Sequence, residues 1–363
     1  MRLRRSPTLA LATKIEQARA RGDAAWSLST PTFPEPSDLP QMDASWVRLS
    51  PPLGLPELRT AAREAFFHRW SLPGHEIVVT AGAKAGLFSI LRAALDPGTH
   101  VLVPVPCWPS YFDICAAAGL NAVAFDTLLA QDFALDIGRL AREAEACNAG
   151  AVMLSNPCNP TGRILREREL ADLAALCQAR GMLLILDQSF SGIVFDAQTW
   201  AASIVPGFDR LAIVDSFSKN HVLQGARVAA AAVPDWLVDA MATVHQTVTS
   251  SAASPGQKLA LHAIETGMRL PQLDVQRGMV AEFLRDAGWR FHDQGGTFYF
   301  FPEVPDIDGF TRRAAARDVF LIPGDAFGAR YGRHFRFCFC KPEAELGTIL
   351  DLLRKACLAD AGP

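Results

Sequence analysis

Largely apolar runs recur along this chain: Ile77–Thr80, His100–Val103, Ala122–Phe125, Ala151–Leu154, Met182–Leu186 and Leu211–Val214. None alternates apolar with polar residues, so each reads as a strand buried on both faces, as in a parallel sheet. Helical patterns lie between most of them, at 83–95, 111–118, 137–147 and 166–179, and parallel strands need crossovers of that length. The expected fold is α/β: a three-layer α/β/α arrangement around a mostly parallel, doubly wound sheet with right-handed crossovers. Ligands of such sheets sit in the crevice beyond the carboxyl ends of the strands.

Flanking segments complete the plan. Residues Leu9–Arg21 have helical spacing, Trp26–Asp43 is proline-rich and expected to be irregular, and Pro56 opens a helix running to about Trp70. After Pro234 a long helical region spans 235–286, interrupted near Ser254-Pro255 and Pro271. Strands are expected near Thr297–Phe301, Val319–Ile322 and Phe335–Cys340, then a closing helix at 343–357. Strands bounded by helices suggest a smaller α+β domain. The expected division is 46–240 for the large domain, and 1–45 with 241–363 for the small one.

With a formal net charge of -3, nothing points to a nucleic-acid partner. Eight cysteines without CxxC pairs read as reduced, mostly buried residues of a cytoplasmic protein, with no metal site. No apolar run is long enough to cross a membrane. The basic opening MRLRRSP leads into a stretch too charged for a signal-peptide core; it reads as an amphipathic helix, with an organelle transit segment as the alternative.

The chemistry-bearing residues cluster just past the strand ends. Lys219 follows strand 211–214 in Asp215-Ser-Phe-Ser-Lys-Asn-His-Val-Leu-Gln-Gly-Ala-Arg227, where a lysine can form an imine with a carbonyl cofactor. Ser216, Ser218 and Arg227 lie close by, and hydroxyls with a guanidinium fork suit a phosphate. Together they describe a pyridoxal phosphate site; alone, the segment reads equally well as a polar loop. Ala81-Gly-Ala-Lys84 starts a helix, whose free N–H groups favour an anion, or is an ordinary strand–helix turn. Trp108 is either a flat surface for a heteroaromatic ring or a core anchor. Asn156-Pro-Cys-Asn-Pro-Thr-Gly162 is the most constrained stretch, and holds the Asn159 amide rigidly. Asp187 ends a very apolar strand and needs a partner. A protonated pyridine nitrogen would serve; so would a capped turn or an arginine. Arg336 is a fixed charge in an apolar strand and faces either a substrate carboxylate or an interdomain acid.

As a set, GLPELR (54–59), TAGAK (80–84), PVPCWPSY (104–111), SNPCNPTG (155–162), Asp187, SFSKNHVLQGAR (216–227), IPGDAFG (322–328) and FRFCFC (335–340) resemble the fold-type I, class I/II aminotransferase family over nearly the whole chain. The resemblance implies that Lys219 holds pyridoxal 5'-phosphate as an internal aldimine and shuttles the proton. It implies Asp187 on the pyridine nitrogen, Asn159 on the ring oxygen and Trp108 on the ring face. Ala83, Lys84, Ser216, Ser218 and Arg227 would line the phosphate, and Arg336 would take the substrate α-carboxylate, with Asn159 also touching the substrate. The family is usually a homodimer.

Departures accompany the match. Asp187-Gln-Ser-Phe190 lacks the tyrosine that the family commonly places after the aspartate, so the pKa of the internal aldimine is expected to be higher than in tyrosine-bearing relatives. Leu49 stands where a tyrosine often reaches the partner subunit's phosphate, and Ser29 replaces a common glycine. The expected function is transfer of an amino group between an α-amino acid and a 2-oxo acid. The alternative is another reaction on the same scaffold: decarboxylation, elimination, or a specialised cyclisation or oxidation. A sensor module fused to a DNA-binding domain would need more chain before Gly54. A dinucleotide-binding protein would need G-x-G-x-x-G after a strand, which is missing.

Overall fold

The computed structural model describes residues 7–22, 25–36, 39–202 and 208–358; the basic residues 1–6 lie outside these. After β1 (Trp26–Ser27) come β2 (His75–Thr80), β3 (His100–Val105), β4 (Asn121–Asp126), β5 (Ala149–Ser155), β6 (Leu183–Asp187), β7 (Leu211–Ser216) and β8 (Ala229–Pro234). The last seven form one sheet in the order β2-β8-β7-β6-β5-β3-β4. All its pairings are parallel except those of β8, which runs antiparallel to β2 and β7. The sheet is covered on both faces, and Ile185, Leu186, Ile213 and Val214 have no exposed surface. Each such side chain contributes about 1.5–3 kcal/mol relative to exposure.

The order places the switch point between β3 and β5, because β4 lies on one side of β3 and the later strands on the other. Register aligns Ser155 with Asp187, and Asp187 with Val214. The turns after β5, β6 and β7 therefore emerge side by side.

Beyond the large sheet, β9 (Tyr299–Phe300), β11 (Ile322–Pro323) and β12 (Phe335–Cys338) form an antiparallel sheet, while β10 (Val319–Phe320) pairs in parallel with β1. A separate core surrounds them, built from Phe283, Phe298, Phe300, Phe335, Phe337 and Leu350 among others. Helices at Asp235–Thr249, Ser254–Glu265 and Asp274–Asp286 match the interruptions expected at Pro255 and Pro271.

Three expectations need correction. Strand β8 was not anticipated, because its Ala229–Ala232 run has little β-propensity; burial between two strands overrides it. The 26–43 segment is not wholly irregular, since Trp26 and Ser27 borrow edge partners from Val319 and Phe320. The helix opened by Pro56 is α-helical only to Ala62 and continues as a π-turn at Arg63–Phe67.

Candidate active site

A cavity of about 460 Å³ opens at the carboxyl ends of β3, β5, β6 and β7. Lys219, Ala83, Lys84, Trp108, Asn159, Asp187, Ser216, Ser218, Arg227 and Arg336 all line it, together with Ser29 from near the start of the chain, so residues distant in sequence meet there. The apolar strands do this by packing in register and releasing their polar residues at one edge.

Asp187 lies at the floor, 5 % exposed. Its Oδ2 accepts from Tyr111 Oη at 2.7 Å; its Oδ1 accepts from Ser189 Oγ at 2.6 Å and Ser189 N at 3.0 Å. The aspartate thus caps its turn as well as facing the cavity. Burial raises its pKa, and the bonds from Ser189 and Tyr111 oppose the rise. A cation at the cavity floor would favour the carboxylate further.

Lys219 sits in the four-residue helix Phe217–Asn220 that follows β7. Burial is the main cause pulling its amine down to about 8, and Arg336 and Arg227 add to it. Its ammonium position lies 5.3 Å from the Phe33 ring centre. A substantial fraction of the amine is therefore neutral, and nucleophilic, near pH 8.

At the rim, Gly82 precedes the helix Ala83–Ala94 with φ +87° and no side-chain cap, leaving the first N–H groups free toward the cavity edge. A side chain at 82 would bring its Cβ within 2.5 Å of Arg227 Nη2. Arg227 itself has φ +53°, and its Nη1 donates to the Gln224 carbonyl at 3.0 Å and lies 3.5 Å from Ser218 Oγ. Lys84 Nζ is 3.4 Å from Ser110 Oγ and 4.9 Å from the centre of the Trp108 ring. Guanidinium, ammonium, hydroxyls and a helix start make an anion seat.

The opposite wall comes from the smaller sheet. Arg336 is 2 % exposed; its Nη2 donates to the Ser29 carbonyl at 2.8 Å and its Nη1 to Asn159 Oδ1 at 3.1 Å. Its carbon lies 4.2 Å above the Tyr299 ring centre. Among the described residues no acidic side chain pairs with it, so the alternative of an interdomain acid is not what holds it. Arg330, Arg333 and Lys341 point elsewhere, to Asp126, Glu303 and Glu345.

Phe190 lines the cavity through its ring, edge-on to Phe298 and Tyr299 at 5.3 and 5.8 Å, and brings no hydroxyl. Sequence reasoning missed Tyr111, Ser189 and Tyr299. Tyr111 stood inside a motif already singled out, but its bond spans 76 positions; the Ser189 bond had a signal, since an aspartate two residues before a serine favours a local turn.

Fold and cavity define the class: a doubly wound α/β enzyme whose chemistry sits at a topological switch point. The profile of the class I and II aminotransferase family matches residues 38–353, so the chain belongs to that family and is a pyridoxal-phosphate-dependent aminotransferase acting on amino and 2-oxo acids. It is 29 % identical over 339 residues to an aspartate aminotransferase of Thermotoga maritima, covering 89 % of each chain. It is 30 % identical over 289 residues to a probable N-acetyl-LL-diaminopimelate aminotransferase of Bacillus subtilis, covering 77 % of this chain and 72 % of the relative. Among solved structures, the aspartate aminotransferase of Thermus thermophilus with maleate superposes with a TM-score of 0.85 at 25 % identity, over 98 % of this chain and 97 % of that one.

Proposed function

We propose that Lys219 is the covalent attachment point and proton carrier of this aminotransferase, and that Arg336 binds the α-carboxylate of its amino acid. One observation carries the reading: a buried guanidinium with no acidic partner among the described residues faces the same cavity as a buried aspartate and a lysine whose pKa burial pulls down to about 8. A buried positive charge is costly unless a counter-ion arrives.

The residues fit pyridoxal phosphate from end to end. Ser216, Ser218, Arg227, Lys84 and the amide end at Ala83 would hold the phosphate. Trp108 would cover the ring, Asn159 would meet its oxygen, and Asp187 would keep its nitrogen protonated, with Tyr111 and Ser189 holding the carboxylate in place. When bound, the cofactor supplies an electron sink for the Cα–H bond. Lys219 would act as the general base that accepts the Cα proton and holds it for return. Arg336 fixes the amino acid by a forked pair of bonds, so that its Cα–H bond faces the lysine.

We further assign residues 46–240 to the large domain, and 1–45 with 241–363 to the small one, in a cytoplasmic homodimer. The smaller sheet's own core supports the division, and eight free cysteines support the compartment. Val47 and Leu49, each 80 % exposed, and Met42 and Leu39 give one segment the apolar surface a partner subunit would cover. Among the described residues no helix is long and apolar enough to cross a membrane.

The test is borohydride reduction of protein incubated with pyridoxal phosphate, peptide mapping, and half-reaction spectra with an amino acid panel. The reading expects the adduct on Lys219 and conversion of the cofactor to its amine form. An adduct on another lysine, or release of CO₂ or ammonia in place of amine transfer, would overturn it.

A further inference from the structure

We propose that Asn220 is a positioning residue for the transfer reaction: it locks the turn bearing Lys219 to the turn bearing Asp187. The inference rests on the roles given above to those two residues. Strands β6 and β7 are neighbours in register, but their ladder ends at Asp187 and Val214; past it one backbone bond, from Gln188 N to the Val214 carbonyl at 2.7 Å, links them before the Asp187 turn and the short helix bearing Lys219 go separate ways. The distance between amine and carboxylate must therefore be fixed by something other than the sheet.

Asn220 does this with its whole amide group. Its Oδ1 accepts from Gly192 N at 3.0 Å, and its Nδ2 donates to Ser191 Oγ at 3.0 Å. Both partners belong to the turn that starts at Asp187. The same Nδ2 donates to Asp215 Oδ1 at 2.8 Å, and that oxygen also accepts from Ser216 N at 2.7 Å. One side chain, 4 % exposed, thus bonds the Asp187 turn on one side and the end of β7 on the other. Its carbonyl accepts from Leu270 N at 3.0 Å, which anchors its own backbone.

The fit is close. A Cβ at Gly192 would lie 3.2 Å from Asn220 Oδ1 and 3.3 Å from its Cβ and Cγ, so even a methyl group there would push the amide away. Asp215 is fully buried and holds the far side of the bridge through an oxygen that an asparagine would also possess. Neither Asn220 nor Asp215 reaches the cavity, so the effect of both on the reaction passes through Lys219 and Asp187. Misplacement of about 1 Å between reacting groups costs on the order of 100-fold in rate.

The experiment measures the rate at which added pyridoxal phosphate becomes borohydride-fixable on Lys219, at saturating cofactor, with folded content followed by circular dichroism. Asn220→Ala is expected to slow attachment about tenfold or more, and Gly192→Ala, which disturbs the same bridge from the other turn, by about threefold or more. Asp215→Asn, which keeps the accepting oxygen, is expected to stay within about twofold of wild type. In each slowed variant kcat should fall more than KM rises. If Asn220→Ala does not fold, Gly192→Ala decides. Folded variants that differ from wild type only in thermal stability, with attachment rate unchanged, would overturn the proposal. If wild type itself gives no adduct on Lys219, the site reading falls first and this inference with it.

Discussion

The floor of the cavity and its far wall are built to opposite principles. On the floor, Asp187 accepts three hydrogen bonds and the Lys219 turn is tied to its neighbour before any ligand arrives. On the wall, Arg336 is equally buried, yet among the described residues a carbonyl, an amide oxygen and aromatic rings meet it, and no carboxylate does. One region spends its interactions on internal geometry; the other, on the reading proposed above, keeps a charge for an incoming carboxylate. The difference teaches which substitutions should damage the protein and which only its chemistry.

Lys219→Ala gives the largest expected effect: loss of transfer by about 10⁴-fold or more, since nucleophile and proton carrier vanish together. Steady-state assays check it. Asp187→Asn should lower kcat by roughly 100-fold, because a neutral amide no longer favours a protonated ring nitrogen. Arg336→Leu should raise KM for the amino acid roughly 10- to 100-fold, the worth of a charge-assisted pair. The contrast between regions predicts more: thermal denaturation of the ligand-free Arg336→Leu protein should show a melting temperature equal to or above wild type, since an unpaired buried charge is removed. Tyr111→Phe, on the floor, should instead lower it, because Asp187 loses a bond. If both variants destabilise alike, the comparison is wrong.

The pH dependence follows from the lysine. Its pKa near 8 means the amine is increasingly protonated below that point, so cofactor attachment should slow by about tenfold per pH unit at lower pH and level off above. Stopped-flow absorbance over pH 6–9 (about the range spanned by the amine) reads this directly. The smallest effect belongs to Phe190→Tyr. The added hydroxyl should stabilise the deprotonated lysine–cofactor linkage and lower its spectroscopic pKa by a fraction of a unit to about one unit. A variant whose pKa is not the lower of the two would show that another group already does that work.

Much of this site was legible in the sequence because strands buried on both faces are long apolar runs, and polar residues at their ends stand out. Lys219, Asp187 and Asn159 each followed such a run. The glycine at 82 and the helix start behind it were legible for the same reason. What stayed hidden depends on pairs of distant residues. Tyr111 meets Asp187 only because β3 and β6 lie on either side of β5, and Asn220 meets Gly192 only because β6 and β7 are adjacent. Strand β8 was hidden differently: alanines carry no pattern of their own, and only the neighbours at Ile77–Thr80 and Ile213–Ser216 make them a strand.

Strand β6 occupies the middle of the seven-stranded sheet, and β7 next to it is flanked on both sides. Their amides should exchange with deuterated solvent only when the entire domain opens, while the short pairings around β9 and β12 should open far more often. Warming the protein should therefore cost it carboxylate capture well before it loses hold of its lysine-bound cofactor.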